Sequence, residues 1–187
     1  MTEYMDLRSI TLMPRSLYSL LITVLAPFFV LRLIYKSLRE PNYRRQWWRR
    51  FAIGLPKRVK PGAGVIWVHA VSVGELLAIA PLIERLLAEW PDKALLVTNT
   101  TPTGSAQTQS LFGDTVEHTW FPFDMPWVTG AFIRHWRPEL IVMVETEIWP
   151  NLLASANAQR VPVALVNARL SARSARGYSR LGQPVIG

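Results

Sequence analysis

The sequence predicts an α/β domain, a mainly parallel sheet with helices on both faces, preceded by an N-terminal membrane-anchor helix. Short β-rich runs at 65–69, 94–98, 116–120, 140–144 and 162–166 recur every twenty-odd residues, with helical stretches at 74–90, 103–112, 126–136 and 147–159 between them. That alternation marks βα units, because parallel neighbours need crossover connections. A three-layer, Rossmann-like arrangement follows. The anchor rests on a separate observation, the uncharged and largely apolar run from Ser16 to Leu31.

The totals fit one domain with a sizeable core. Half of the 187 residues are apolar and eight are Trp, too much aromatic surface for a disordered chain. The absence of cysteine excludes a disulfide framework, a thiolate metal site and a cysteine nucleophile, and is compatible with a reducing compartment. The net charge of +8 is unevenly spread: residues 32–60 carry ten basic side chains against one acidic, whereas 61–159 carry four against ten. A basic flank on an acidic domain argues against nucleic acid as a partner, which would call for a continuous basic face.

Taken in chain order, the Ser16–Leu31 run is short for a span of about 20 residues, although Tyr18, Tyr35 and a snorkelling Arg32 extend it. Its readings are an embedded anchor, an interfacial helix, or a helix buried against a partner or core; Pro27 is the place for a kink. Beyond it Arg32, Lys36, Arg39, Arg44, Arg45, Arg49 and Arg50 are interleaved with Tyr35, Tyr43, Trp47 and Trp48. This pattern suits an anionic membrane surface, the alternative being a solvated basic linker, and on the first reading the positive-inside rule puts the domain in the cytoplasm. The expected division is an anchor with the start of the basic collar over 1–40, a basic interfacial linker over 41–64, and the domain over 65–187.

Gly62 and Gly64 make a lead-in turn to the first strand, 65–69. The helix after it is amphipathic through Leu76, Leu77, Ile79, Ala80, Ile83, Leu86 and Leu87. No G-x-G-x-x-G follows that strand and there is no P-loop, so no nucleotide cofactor is indicated. His69, His118 and His135 lack metal-site spacing and read as core or surface residues, leaving no expected metal.

Four strand ends carry unusual residues. Ser72-Val73-Gly74-Glu75 fits a capping box, in which the serine oxygen accepts from the N–H three residues on and the glutamate reaches back to the serine N–H. The same Glu75 sits where a buried strand turns into a helix, a place where catalytic groups collect. Thr98–Ser105 is a hydroxyl-rich turn able to cap a helix or to hold an anion or sugar. Glu145 and Glu147 close the fourth strand, and Arg169 and Arg173 follow the fifth, suited to phosphate or carboxylate. Parallel strands bring these ends to one edge. The expected substrate-binding set is Ser72, Gly74, Thr101, Thr103, Ser105, Asn167, Arg169 and Arg173.

HAVSVGE (69–75), TPTGS (101–105), FPFDMP (121–126), ETEIWPN (145–151) and NARLSARSARGYSRLG (167–182), in this order behind an apolar anchor, resemble the 3-deoxy-D-manno-octulosonic acid (Kdo) transferases of Gram-negative lipid A biosynthesis. The resemblance implies the N-terminal half of a two-domain GT-B glycosyltransferase at the cytoplasmic face of the inner membrane. That enzyme class transfers Kdo from CMP-Kdo to a lipid A precursor without a bound metal or other cofactor. The resemblance implies that Glu75 is the general base and Glu145 a supporting carboxylate. The donor-binding domain would lie beyond Gly187, and Gln183–Gly187 lack the basic helix implied there. The expectation is therefore a truncated frame or half of a split protein, inactive alone; the alternative is a non-catalytic binding module for the lipid A precursor.

Overall fold

The computed structural model describes residues 14–58, 62–145 and 148–166. Five parallel strands, β1 (Val65–His69), β2 (Ala94–Asn99), β3 (Glu117–Trp120), β4 (Pro138–Val144) and β5 (Val163–Val166), form one sheet in the order β3-β2-β1-β4-β5. The connecting helices are α3 (Val73–Glu89), α4 (Pro102–Phe112), α5 (Pro126–Trp136) and α6 (Pro150–Ala158). All five strands lie where the sequence predicts them, with ends shifted by no more than two residues. The expected helix at 147–159 begins only at Pro150, whose fixed φ suits a first helical position.

Every residue of β1 is buried, as a strand covered on both faces must be. Ile66, Val68 and Ala70 join Leu76, Ile79, Ile83 and Leu86 of α3 in one core. Val65 and Trp67 join Phe132 and Trp136 of α5 and Leu152 of α6 in the other. The Trp67 indole N–H donates to Thr98 Oγ1 at 2.9 Å, so this large ring is buried with its polar atom satisfied.

The apolar N-terminal run forms two helices, α1 (Arg15–Val24) and α2 (Ala26–Arg39), bent by 48°. Pro27 explains the break: its ring would clash with the carbonyl four residues back in a continuous helix, but fits the first turn of a new one. No single described helix is long and apolar enough to cross a membrane, although the bent pair passes by length and composition. The pair lies against the domain. Tyr18 donates to Asp124 and Ser19 to Asn151, while Phe29 stacks on Phe123 at 5.8 Å. Leu17, Leu20, Leu21, Val24, Phe28, Leu31 and Leu38 face outward and are exposed.

The collar divides at its end. Arg44 and Arg45 are exposed and Arg49 is half-buried, but Arg50 is buried, against the expectation that all of them face headgroups. Arg50 Nη2 donates to the Thr100 carbonyl at 2.8 Å, its guanidinium lies 4.4 Å from the Trp120 ring centroid, and its own carbonyl accepts from the Phe123 N–H at 2.7 Å. A planar, weakly hydrated cation can stack in this way where an ammonium could not. Burial pushes its pKa down to about 10, which leaves it charged at neutral pH. Residue 50 thus belongs to the domain.

At the carboxyl edge, Asn99 joins three elements. Its Nδ2 donates to the Ala70 carbonyl at 2.8 Å, which fixes the amide orientation; its Oδ1 accepts from Thr108 on α4 at 2.8 Å and from the His118 Nε2–H at 3.0 Å. His69 is fully buried, stacked 3.7 Å from Phe121, with Nδ1 at 3.0 Å from the Thr98 carbonyl. A carbonyl only accepts, so Nδ1 carries the proton. Nε2 is then a buried lone pair without a partner among the described residues, and a second proton there would have no acceptor. Burial holds the His69 pKa down at about 3, and burial with the nearby Arg49 charge holds His118 at about 4.

Two outcomes follow from this packing. Arg50→Ala should lower unfolding stability by about 2–4 kcal/mol, through loss of a charge-assisted hydrogen bond and a cation–π contact, while Arg44→Ala should stay within about 0.5 kcal/mol in urea titrations. Both histidines have folded pKa values below the ordinary value near 6.5, so their stabilising contribution is complete above it and is lost as pH falls toward about 4 and 3. Between pH 7 and 5 the two together should cost about 3–4 kcal/mol. His118→Asn should remove roughly half of that dependence, read from unfolding midpoints against pH.

Candidate active site

The strand order makes β1 the point of reversal, since the chain moves outward from it to β2 and β3, then crosses to β4 and β5 on its other side. In open parallel sheets the crevice forms outside the carboxyl ends at such a switch point. Here the switch point lies between β1 and β4. The first turn of α3, directly after β1, carries Glu75 and the residue after β4 is Glu145, so the two carboxylates follow neighbouring strands at the same edge of the sheet.

Glu75 stands in the first turn of α3, half-buried. Ser72 caps that helix, its Oγ accepting from the Glu75 N–H at 3.3 Å. The carboxylate reaches back one residue further than a capping box predicts: Oε2 accepts from the Val71 N–H at 2.7 Å, and Oε1 from the Ser72 hydroxyl at 2.9 Å. Each oxygen keeps a second lone pair. The bonds orient the group without exhausting its capacity to accept a proton. Gly74 is exposed, and a Cβ there would meet only Ser72 Oγ, at 3.9 Å, so protein packing does not demand glycine.

The hydroxyl-rich turn after β2 is braced against the same loop. Thr100 and Thr101 donate to the Val71 carbonyl at 3.3 and 3.4 Å, and Thr101 Oγ1 caps α4 by accepting from the Gly104 N–H at 3.1 Å. Thr103 is 3.3 Å from the Thr101 hydroxyl. Gly104 is closely packed: a Cβ would sit 3.0 Å from Thr101 Oγ1 and 3.3 Å from Asn99, so a larger residue would make those side chains give by a few tenths of an ångström. Ser105 is set apart from Thr101 and Thr103: it lines a cavity of about 500 Å³ with Arg45, Gln46, Gln109 and His118.

Glu145 is held by its backbone, its N–H donating to the Val166 carbonyl at 2.9 Å. Its φ of 60° is left-handed, a conformation that costs a non-glycine residue about 1–2 kcal/mol. Such strain persists only where the surroundings impose it, and it gathers at functional sites. Glu147, Asn167, Arg169 and Arg173 lie outside the described residues.

Sequence reasoning missed Asp124, which is 3% exposed in the FPFDMP segment. Oδ1 accepts from the Leu152 N–H at 2.7 Å; Oδ2 accepts from the Asn151 N–H at 3.1 Å and from the Tyr18 hydroxyl at 2.9 Å. Asn151 returns its Nδ2 to the Asp124 carbonyl at 2.7 Å. Burial pushes the carboxyl above the usual range against the pull of these donors. The available signal was a lone carboxylate among Phe, Met and Pro, which a buried turn tolerates only when donors meet it.

The chain matches the family model described as 3-deoxy-D-manno-octulosonic-acid transferase (kdotransferase) over residues 45–186. It is 36% identical over 167 residues to the 3-deoxy-D-manno-octulosonic acid transferase of Haemophilus influenzae, covering 89% of this chain and 39% of that relative. The corresponding transferase of Bordetella pertussis is 39% identical over 180 residues, covering 91% of this chain and 41% of the relative. The chain therefore spans about two fifths of the length of these relatives. A solved UDP-N-acetylglucosamine 2-epimerase aligns with a TM-score of 0.41 at 16% identity, over 66% of this chain and 36% of that one. With the family model running from the basic collar through every strand of the sheet, the chain belongs to the Kdo transferase family.

Proposed function

We propose that these residues form the acceptor-binding half of a Kdo transferase, in which Glu75 removes the proton from an acceptor hydroxyl as it attacks the anomeric carbon of Kdo. The donor is CMP-Kdo, gripped by a second domain in a GT-B arrangement, and the acceptor is a lipid A precursor. The observation carrying this reading is the pair of carboxylates on either side of the switch point, one oriented by Val71 and Ser72 and the other on a left-handed residue. Glu145 supports the base. Positioning supplies much of such a rate, roughly 7–11 kcal/mol, so residues 1–187 without a donor-binding half should give no transfer.

The membrane surface is proposed as the third partner. The N-terminal helices turn hydroxyls inward, Tyr18 and Ser19 to the domain, and apolar side chains outward. So apolar an outer face matches a helix pair that seats it in the acyl boundary. Arg44 and Arg45 remain exposed for anionic headgroups. The setting is the cytoplasmic face of the bacterial inner membrane, where a lipid-linked acceptor is within reach.

Glu75→Gln, in a protein carrying both halves, separates base from cap. Glutamine keeps an acceptor for the Val71 N–H, so unfolding stability should stay within about 0.5 kcal/mol while transfer falls by roughly 10²–10⁴-fold. Near-parental transfer would end the base assignment and make Glu145 the first candidate. Glu145→Gln should lower transfer by a smaller factor.

Cosedimentation with vesicles containing anionic lipid tests the surface. Leu20→Glu with Phe28→Glu should abolish most binding at any salt, whereas Arg44→Ala with Arg45→Ala should weaken it mainly at low salt. Unchanged binding by the double glutamate variant would remove the apolar face from the account.

A further inference from the structure

Helix α6 does not cap itself. Trp149 at its N-cap offers no side-chain acceptor and Pro150 has no N–H, so the first free donors are those of Asn151 and Leu152. Both end on Asp124, one on each carboxylate oxygen, from a loop 27 and 28 residues upstream. Phe121 of the same loop packs against Trp149 with ring centroids 5.4 Å apart. The start of α6 is therefore fixed by the loop between β3 and α5.

This matters for Glu145, which lies five residues before Pro150. The connection is tied at one end by the Glu145 N–H on Val166 and at the other by Asp124 on α6. Glu145, left-handed at φ 60°, and the fixed start of α6 are thus five residues apart in the chain. The same Asp124 carboxylate also accepts from Tyr18 of α1, and Ser19 donates to Asn151 Oδ1 at 2.7 Å.

We infer that Asp124 is a positioning residue for Glu145, and that through Tyr18 it couples the seating of the N-terminal helices to the geometry of the active-site crevice. The inference rests on the reading of Glu145 as a carboxylate of the site. Asp124 is buried, and both its carboxylate oxygens are engaged by protein donors. It acts by holding α6, and it links a helix whose outer face is apolar to the strand end where the chemistry is proposed.

The experiment has two arms. In the first, amide hydrogen exchange is followed in the full chain on anionic vesicles. Asp124→Asn, which puts a donor where an acceptor stood, should speed exchange at Asn151 and Leu152 by about tenfold. Tyr18→Phe removes only a hydroxyl on α1, yet should speed exchange at the same two amides by about threefold. Unchanged exchange at 151–152 in Asp124→Asn overturns the hold on α6. A Tyr18→Phe effect confined to 15–24 overturns the coupling.

In the second arm, transfer is measured in a protein carrying both halves. Asp124→Asn should lower kcat by about tenfold, and that loss should shrink to less than about twofold in a Glu145→Gln background, because the residue acts through Glu145. An equal loss in both backgrounds means a merely structural role and overturns the positioning claim. If Glu145→Gln alone leaves transfer unchanged, the role of Glu145 falls and the positioning claim with it; the exchange arm still decides whether Asp124 holds α6.

Discussion

A parallel sheet gathers the ends of its strands at one edge, and the polar groups there must be satisfied among themselves if the edge is to hold a shape. Asn99 does this. One side chain binds the backbone leaving β1, the helix after β2 and the ring on β3, so three connections share one fixed amide. Neutral histidines fit at this edge and charged ones do not, because burial disfavours the protonated rings and, at His118, the nearby Arg49 charge adds to it. Glu75 and the threonine turn inherit their positions from this brace, through Ala70, Val71 and Thr101.

The opposite side of the crevice has a different support. Asp124 reaches α6 from a distant loop and has no ion-pair partner among the described residues, so its carboxylate is met by three donors and the positive end of a helix. A carboxylate buried on those terms is costly unless every donor stays in place. The N-terminal helices supply one of the three. Their attachment is thus part of the packing of the domain, even though their outer face is the most apolar exposed surface among the described residues.

Arg50 and Arg45 show how a charge run is divided by folding. Five residues apart, they have the same chemistry and opposite fates: one is enclosed against Trp120 and the other lines an open cavity. Arginine allows this because its plane stacks and its hydration is weak, whereas a lysine at 50 would lose the ring contact and gain a desolvation cost. The basic collar therefore serves the domain at its end and leaves its middle exposed.

The sequence by itself determined the fold class, the positions of all five strands and the identity of the carboxylates at the strand ends. These are local matters: β-rich runs separated by amphipathic stretches, and capping chemistry written within four residues. The tertiary structure decided what depends on long-range pairing. The strand order put the ends that carry Glu75 and Glu145 on neighbouring strands, the N-terminal helices came to lie against the domain through Tyr18 and Ser19, and Arg50 moved from the collar into the buried interior. Asp124 was out of reach for the same reason, because its partners lie 27, 28 and 106 residues away and no spacing pattern encodes bonds of that range.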